Sequence, residues 1–225
     1  MSLKPRKFSD LKRSQEEINA KMLKKRKKTQ LELPPCMYVV SEGIKTEPYY
    51  IKGMADAINQ KFFDFSSGPR IYVRGTGRNT RGLLSYARKQ VEADFPQAEI
   101  VWLMYDRDDF PLDDFDNTQY SALTRKDTRK YKVAWSNECI ELWFVLHFQP
   151  LVVNVGREQY RRILREKCDY GKNRKDIYEV LKDKTETAIK RARRQFQEYG
   201  DKPPSQMCPA TRVYELVEEL QKYLM

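Results

Sequence analysis

A single histidine occurs among the 225 residues of this chain. That scarcity excludes paired-histidine metal centres and most catalytic triads that need an imidazole base, and it leaves carboxylate chemistry open. The four cysteines, Cys36, Cys139, Cys168 and Cys208, are scattered and form no CxxC pair. They read as reduced thiols, not as a zinc site or a disulfide framework. No GxxxxGK[ST] loop occurs, which excludes a P-loop nucleotide hydrolase. The spacing of an EF-hand is equally missing. No run approaches the roughly 20 apolar residues of a membrane span, and the first residues lack the apolar core of a signal peptide, so a cytoplasmic protein is expected. There are no internal repeats.

Positive charge, by contrast, is in excess. The chain carries 43 Lys and Arg against 32 Asp and Glu, a formal charge of +11, which points to a polyanionic partner, nucleic acid first of all. Residues 1–33 hold eleven basic and four acidic residues, a net +7, so only +4 of the +11 remains for the rest. This segment, with Lys24-Lys25-Arg26-Lys27-Lys28 at its centre, reads as a basic N-terminal arm. Such an arm is solvated when free and can add sequence-independent phosphate contacts. Pro34-Pro35 closes it. An α/β core is expected over 34–150, and a basic helical extension packed on that core over 151–225.

Within the core the most informative stretch is Val101-Trp102-Leu103-Met104-Tyr105, an apolar run without helical period, leading into Asp106, Asp108 and Asp109. It reads as a buried strand with acids at its carboxyl end, the edge where open α/β sheets bind ligands. Two carboxylates about 4 Å apart repel by roughly 4 kcal/mol at an effective dielectric of 20, and a divalent cation offsets that best. Cys36–Ser41 is a second such strand, ending in Glu42-Gly43. Thr46 is the expected N-cap of the next helix, with Pro48 in its first turn. Glu42 joins Asp106 at one edge only if the two strands are neighbours.

Further strands are expected at Arg70–Arg74 and Tyr131–Trp135. The first runs into Gly75-Thr76-Gly77-Arg78-Asn79-Thr80, a turn able to present N–H groups to a phosphate, and a helix over about 81–92. Asp109–Asn117 is expected as an acidic loop and Tyr120–Lys130 as a short helix. After the fourth strand, Asn137 (or Ser136) is the expected N-cap of a helix running through Phe148 that is apolar on almost every face. Glu141 inside it needs a partner or a metal, whereas His147 reads as a satisfied core residue. Basic helices follow over 155–199, and Thr211 caps a last amphipathic helix with Val213, Leu216, Val217 and Leu220 inward. Alternation of this kind implies a mostly parallel sheet of four strands or more, with helices on both faces.

Glu42-Gly43 after one strand and Asp106-x-Asp108 after another resemble the Toprim arrangement of topoisomerases, primases and OLD-type nucleases. More specifically, the chain is similar to the RloB family, small Toprim-like proteins associated with bacterial restriction and phage-defence loci. The matching residues are Val40-Ser41-Glu42-Gly43-x-Lys45-Thr46-Glu47-Pro48-x-Tyr50, Asp106-Arg107-Asp108, and Ser136-Asn137-x-Cys139-x-Glu141-Leu142-Trp143-x-x-Leu146-His147-Phe148. Tyr170-x-Lys172 and the closing Pro209-Ala210-Thr211-x-Val213-Tyr214 also fit. The likeness spans about 36–220 and departs at Glu138, where the family more often has Pro.

The resemblance implies a Toprim-like Rossmannoid three-layer fold with a C-terminal helical extension. It implies a metal-dependent nuclease acting on RNA or DNA in bacterial anti-phage defence. Asp106 and Asp108 would hold Mg²⁺ or Mn²⁺, and Glu42 would act as general acid–base or as a further ligand. Glu47, Asn137 and Glu141 would surround the ion, and Lys45 or Arg78 would steady the scissile phosphate. It also implies an AAA-type ATPase as a partner. The alternative is a non-catalytic module that binds nucleic acid or that ATPase. A domain handling a nucleotide signal is a third reading, which the absence of a nucleotide motif leaves with little support.

Overall fold

Two strands buried along their whole length set the architecture: β1 (Met37–Ser41) and β3 (Ile100–Asp106). Strands covered on both faces pair in parallel in α/β proteins, and these do. The sheet order is β2-β1-β3-β4-β5, with β2 at Ile71–Gly75, β4 at Lys130–Asn137 and β5 at Ala210–Thr211. The first four strands are parallel, and β5 is antiparallel at the edge. The computed structural model describes residues 32–107 and 111–225; most of the basic arm, together with Asp108 and Asp109, lies outside them.

The period of two along each strand divides the apolar residues between two cores. Met37, Val39, Trp102 and Met104 face one side, against α1 (Thr46–Lys61) and the C-terminal helices. Tyr38, Val40, Val101, Leu103, Tyr105 and Trp135 face the other, against α2 (Thr80–Ala93) and α3 (Leu112–Leu123). Three layers result, as expected of a Rossmannoid α/β fold. After β4 come α4 (Glu141–Leu146), α5 (Arg157–Cys168), α6 (Ile177–Leu181), α7 (Thr185–Gln197) and α8 (Val213–Leu224). Tyr160, Leu164, Leu181, Ala188, Leu216 and Leu220 from these helices are buried in the same core as α1 and α4.

Four local expectations are corrected. The segment 109–117 is not all loop, because α3 starts at Leu112; Phe115, Thr118 and Ala122 recur at helical spacing and are buried, and Asp113 and Asp114 occupy the favourable first turn. The helix expected over Tyr120–Lys130 therefore ends at Leu123 and gives way to β4 at Lys130. Asn137 caps no helix: it is the last residue of β4, and its amide donates to the carbonyls of Pro204 (3.2 Å) and Ser205 (3.3 Å). Thr46 is the first helical residue of α1, and its hydroxyl donates to Asn173 Oδ1 at 3.3 Å instead of capping. The edge strand β5 had no signal, being two residues long, although Thr211 Oγ1 does accept from Val213 N–H (3.2 Å) at the start of α8.

Candidate active site

The register of β1 against β3 sets Ser41 level with Met104, so the chain leaves both strands at the same sheet edge. Glu42 continues the ladder by one bond, its N–H donating to Met104 O at 2.9 Å. Its carbonyl accepts from Gly77 N–H (2.8 Å), and Thr80 Oγ1 donates to its Oε2 (2.9 Å). Thr80 opens α2, whose N-terminal dipole favours a carboxylate there. Half-buried Glu42 is thus held between β3 and the turn after β2.

Two glycines allow that crowding. A Cβ on Gly43 would collide with the Glu47 carboxylate, which folds back over it. A Cβ on Gly75, at the end of β2, would lie 2.5 Å from Gly43 O and 2.7 Å from Ile44 Cα. Gly75 needs a close backbone approach that any larger residue blocks, whereas at Gly43 it is the Glu47 side chain that would have to move.

Asp106 ends β3 and is buried, and its Oδ2 accepts from Ile140 N–H at 3.0 Å in the turn before α4. Beside it opens a cavity of about 350 Å³ lined by Lys45, Glu47, Asp106, Cys139, Glu141, Arg161 and Lys172, among others. Glu141, only 3 % exposed, finds its partner here: Oε1 accepts from Arg161 Nε at 3.1 Å and from the Tyr170 hydroxyl at 3.5 Å. Burial works against the charge on Arg161, but the hydrogen bond and charge of Glu141 outweigh it and raise its pKa. Burial first, and then the charge of Glu141, pushes the phenol of Tyr170 and the thiol of Cys139 well above their ordinary values.

The structure therefore brings Lys45, Glu47, Asp106 and Glu141 to one cavity and sets Glu42 at the same sheet edge outside its lining. Asp108 lies outside the described residues. Asn137 is buried beneath the site, held by the 204–205 carbonyls and by Arg107 Nη1 at 3.4 Å. Arg78 is not at the cavity: it is exposed, with its guanidinium 4.8 Å from the ring of Tyr86. His147 is buried among Tyr50 and Trp143, its Nδ1 3.0 Å from Trp143 O; burial lowers its pKa to about 4, so it is a neutral core residue at pH 7.

Arg161, Lys172 and Thr80 were not singled out from the sequence as site residues. Arg161 and Lys172 lie 55 and 66 positions along the chain from Asp106 and read there as ordinary helix-surface and turn cations. The available signal was a buried acid in need of a cation, but it does not say which of many.

The acids around this cavity offer carboxylate oxygens, the donor set of a hard divalent cation. Among the described residues, no group of three or more His, Cys, Asp and Glu side chains is placed to hold a metal ion. Nor is any helix among them long and apolar enough to cross a membrane. A mostly parallel sheet between two helical layers, with acids at its carboxyl edge, defines a Rossmannoid α/β protein. The chain belongs to the RloB-like protein family, whose profile matches residues 37–220. No curated protein and no solved structure matches it.

Proposed function

We propose that this chain is a Toprim-like phosphodiesterase that cuts RNA or DNA with the help of Mg²⁺ or Mn²⁺ in bacterial defence against phage. The carrying observation is a pair of carboxylates, Glu42 and Asp106, at the carboxyl ends of two adjacent parallel strands, beside a cavity that also holds Glu47 and Glu141. Asp106 and Asp108 would hold the ion, with Glu47 or Glu141 as further oxygen donors. When bound, the ion supplies positive charge to the phosphoryl oxygens and acidifies water.

The protein's own groups supply the rest. Glu42 is the general acid–base: it is half-buried, in reach of solvent protons, and oriented by Thr80. Asp106 is fixed by the Ile140 N–H, so its carboxylate does not have to reorganise. Arg161 neutralises Glu141 and prevents the acids from repelling the substrate together. The +11 charge of the chain favours encounter with a polyanion.

The test is cleavage of a panel of single- and double-stranded RNA and DNA with Mg²⁺ or Mn²⁺. Wild type should cut at least one member, and Glu42→Gln and Asp106→Asn should each reduce the rate by about 10²–10⁴-fold. Activity that survives both substitutions unchanged overturns the assignment. A non-catalytic module for nucleic acid or an AAA-type ATPase would instead show metal-independent, salt-sensitive or protein-directed binding and no cleavage.

A further inference from the structure

We infer that Lys172, acting with Lys45 across the mouth of the carboxylate cavity, grips a backbone phosphate of the nucleic-acid substrate. The inference rests on the proposed function and adds a residue from the turn between α5 and α6 that delivers substrate to the site.

The charges of the cavity divide into two groups. Arg161 is committed: it pairs with Glu141 at 3.1 Å and with Glu158 at 2.7 Å. Lys45 and Lys172 also line the cavity and are exposed, and neither ammonium group makes a hydrogen bond or ion pair with another described residue; Lys45 is held by its backbone, its carbonyl accepting from Tyr49 N–H at 2.8 Å. A site that only held a cation among carboxylates would gain nothing from two uncommitted ammonium groups at its rim, which repel the ion. A phosphodiester chain gains from both, because its bridging phosphate sits over the acids while a neighbouring one meets the lysines. Lysine acts there as a point charge with three donors, suited to a phosphate that approaches from several angles.

The turn that carries Lys172 is fixed before substrate arrives. Asp169 (φ 51°) ends α5 in the left-handed region, and Asn173 (φ 68°) repeats that conformation four residues on. Arg174 staples the turn: its Nη1 donates to the carbonyls of Cys168 (2.6 Å) and Asp169 (3.2 Å), and its Nε and Nη2 grip Asp176 at 2.8 and 3.1 Å. Asn173 accepts from Thr46 Oγ1, which ties the turn to the residue directly after Lys45. The two lysines are thus set on either side of one hydrogen bond. Only their side chains remain to be ordered on binding, which keeps the entropy cost low.

The experiment measures binding of a short labelled single-stranded oligonucleotide by fluorescence anisotropy over a series of salt concentrations, with divalent ions chelated so that cleavage does not interfere. Lys172→Gln should weaken binding roughly tenfold and lower the slope of log K against log salt by about one. Lys172→Arg should restore most of both. Lys175→Gln, which removes an equal charge three residues on and outside the cavity, should have a much smaller effect. With metal present, Lys172→Gln should raise KM by a similar factor with little change in kcat. The inference is overturned if Lys172→Gln leaves affinity and salt slope unchanged, if Lys175→Gln matches it, or if wild type binds no oligonucleotide. Failure of the catalytic reading shows separately, as Asp106→Asn cleaving as fast as wild type, and leaves the anisotropy result to be judged by itself.

Discussion

Arg161→Met breaks the ion pair beneath the cavity and leaves Glu141 with the Tyr170 hydroxyl as the remaining partner on that oxygen. Removing one member of a buried pair costs about 3–5 kcal/mol, because the other charge stays behind without compensation. The Arg161 side chain is 23 % exposed against 4 % for Glu141, so solvent softens the loss, and the low end, about 3 kcal/mol, is expected. For a chain of this size that lowers Tm by about 6–12 °C. Glu141→Gln in the same background removes the uncompensated charge, so the double variant should be more stable than the two single effects predict, with a coupling of about 2 kcal/mol. Urea denaturation of wild type, the two single variants and the double variant closes the cycle. Additive effects, or a shift in Tm below about 2 °C for Arg161→Met, would refute the account of the pair.

Three other outcomes follow from the geometry. His147 has a folded pKa of about 4 against 6.5 unfolded, so the unfolded chain binds the proton first and stability falls as pH drops through that window. The loss reaches about 3 kcal/mol below pH 4, and the urea-midpoint difference between wild type and His147→Gln should narrow over the same range. Gly75→Ala places a methyl 2.5 Å from Gly43 O; backbone cannot yield there cheaply, so a stability loss of about 1–3 kcal/mol is expected by thermal denaturation, together with lost cleavage. Thr80→Val removes the donor to Glu42 and should cost only about 1 kcal/mol of stability, yet lower kcat about tenfold; an unchanged kcat would show that Thr80 does not orient Glu42.

The sheet was legible because burial on both faces leaves uninterrupted apolar runs, as in Val101–Tyr105, and because acids at the ends of such runs have few structural uses. What the residues could not say alone was that β1 and β3 are neighbours; topology decides it, and Glu42 and Asp106 share an edge only for that reason. Local chemistry misled where tertiary partners took over. Asn137 and Thr46 have the side chains of helix caps, but distant partners at 204–205 and 173 claim their polar groups. The start of α3 was hidden by its acids, which look like loop until Phe115, Thr118 and Ala122 are seen to share a face. Arg161 and Lys172 were visible as charges and invisible as site residues, since only folding brings α5 and its following turn to the edge of the sheet.

The central claim is that the acids at this edge hold a divalent cation, and titration of Mn²⁺ followed by electron paramagnetic resonance tests it without any assumption about substrate. The account predicts saturable binding to wild type that weakens at least tenfold in both Asp106→Asn and Asp108→Asn, with Asp94→Asn, on a distant helix end, unchanged. Equal affinity in all four proteins, or no saturable binding at all, would contradict it.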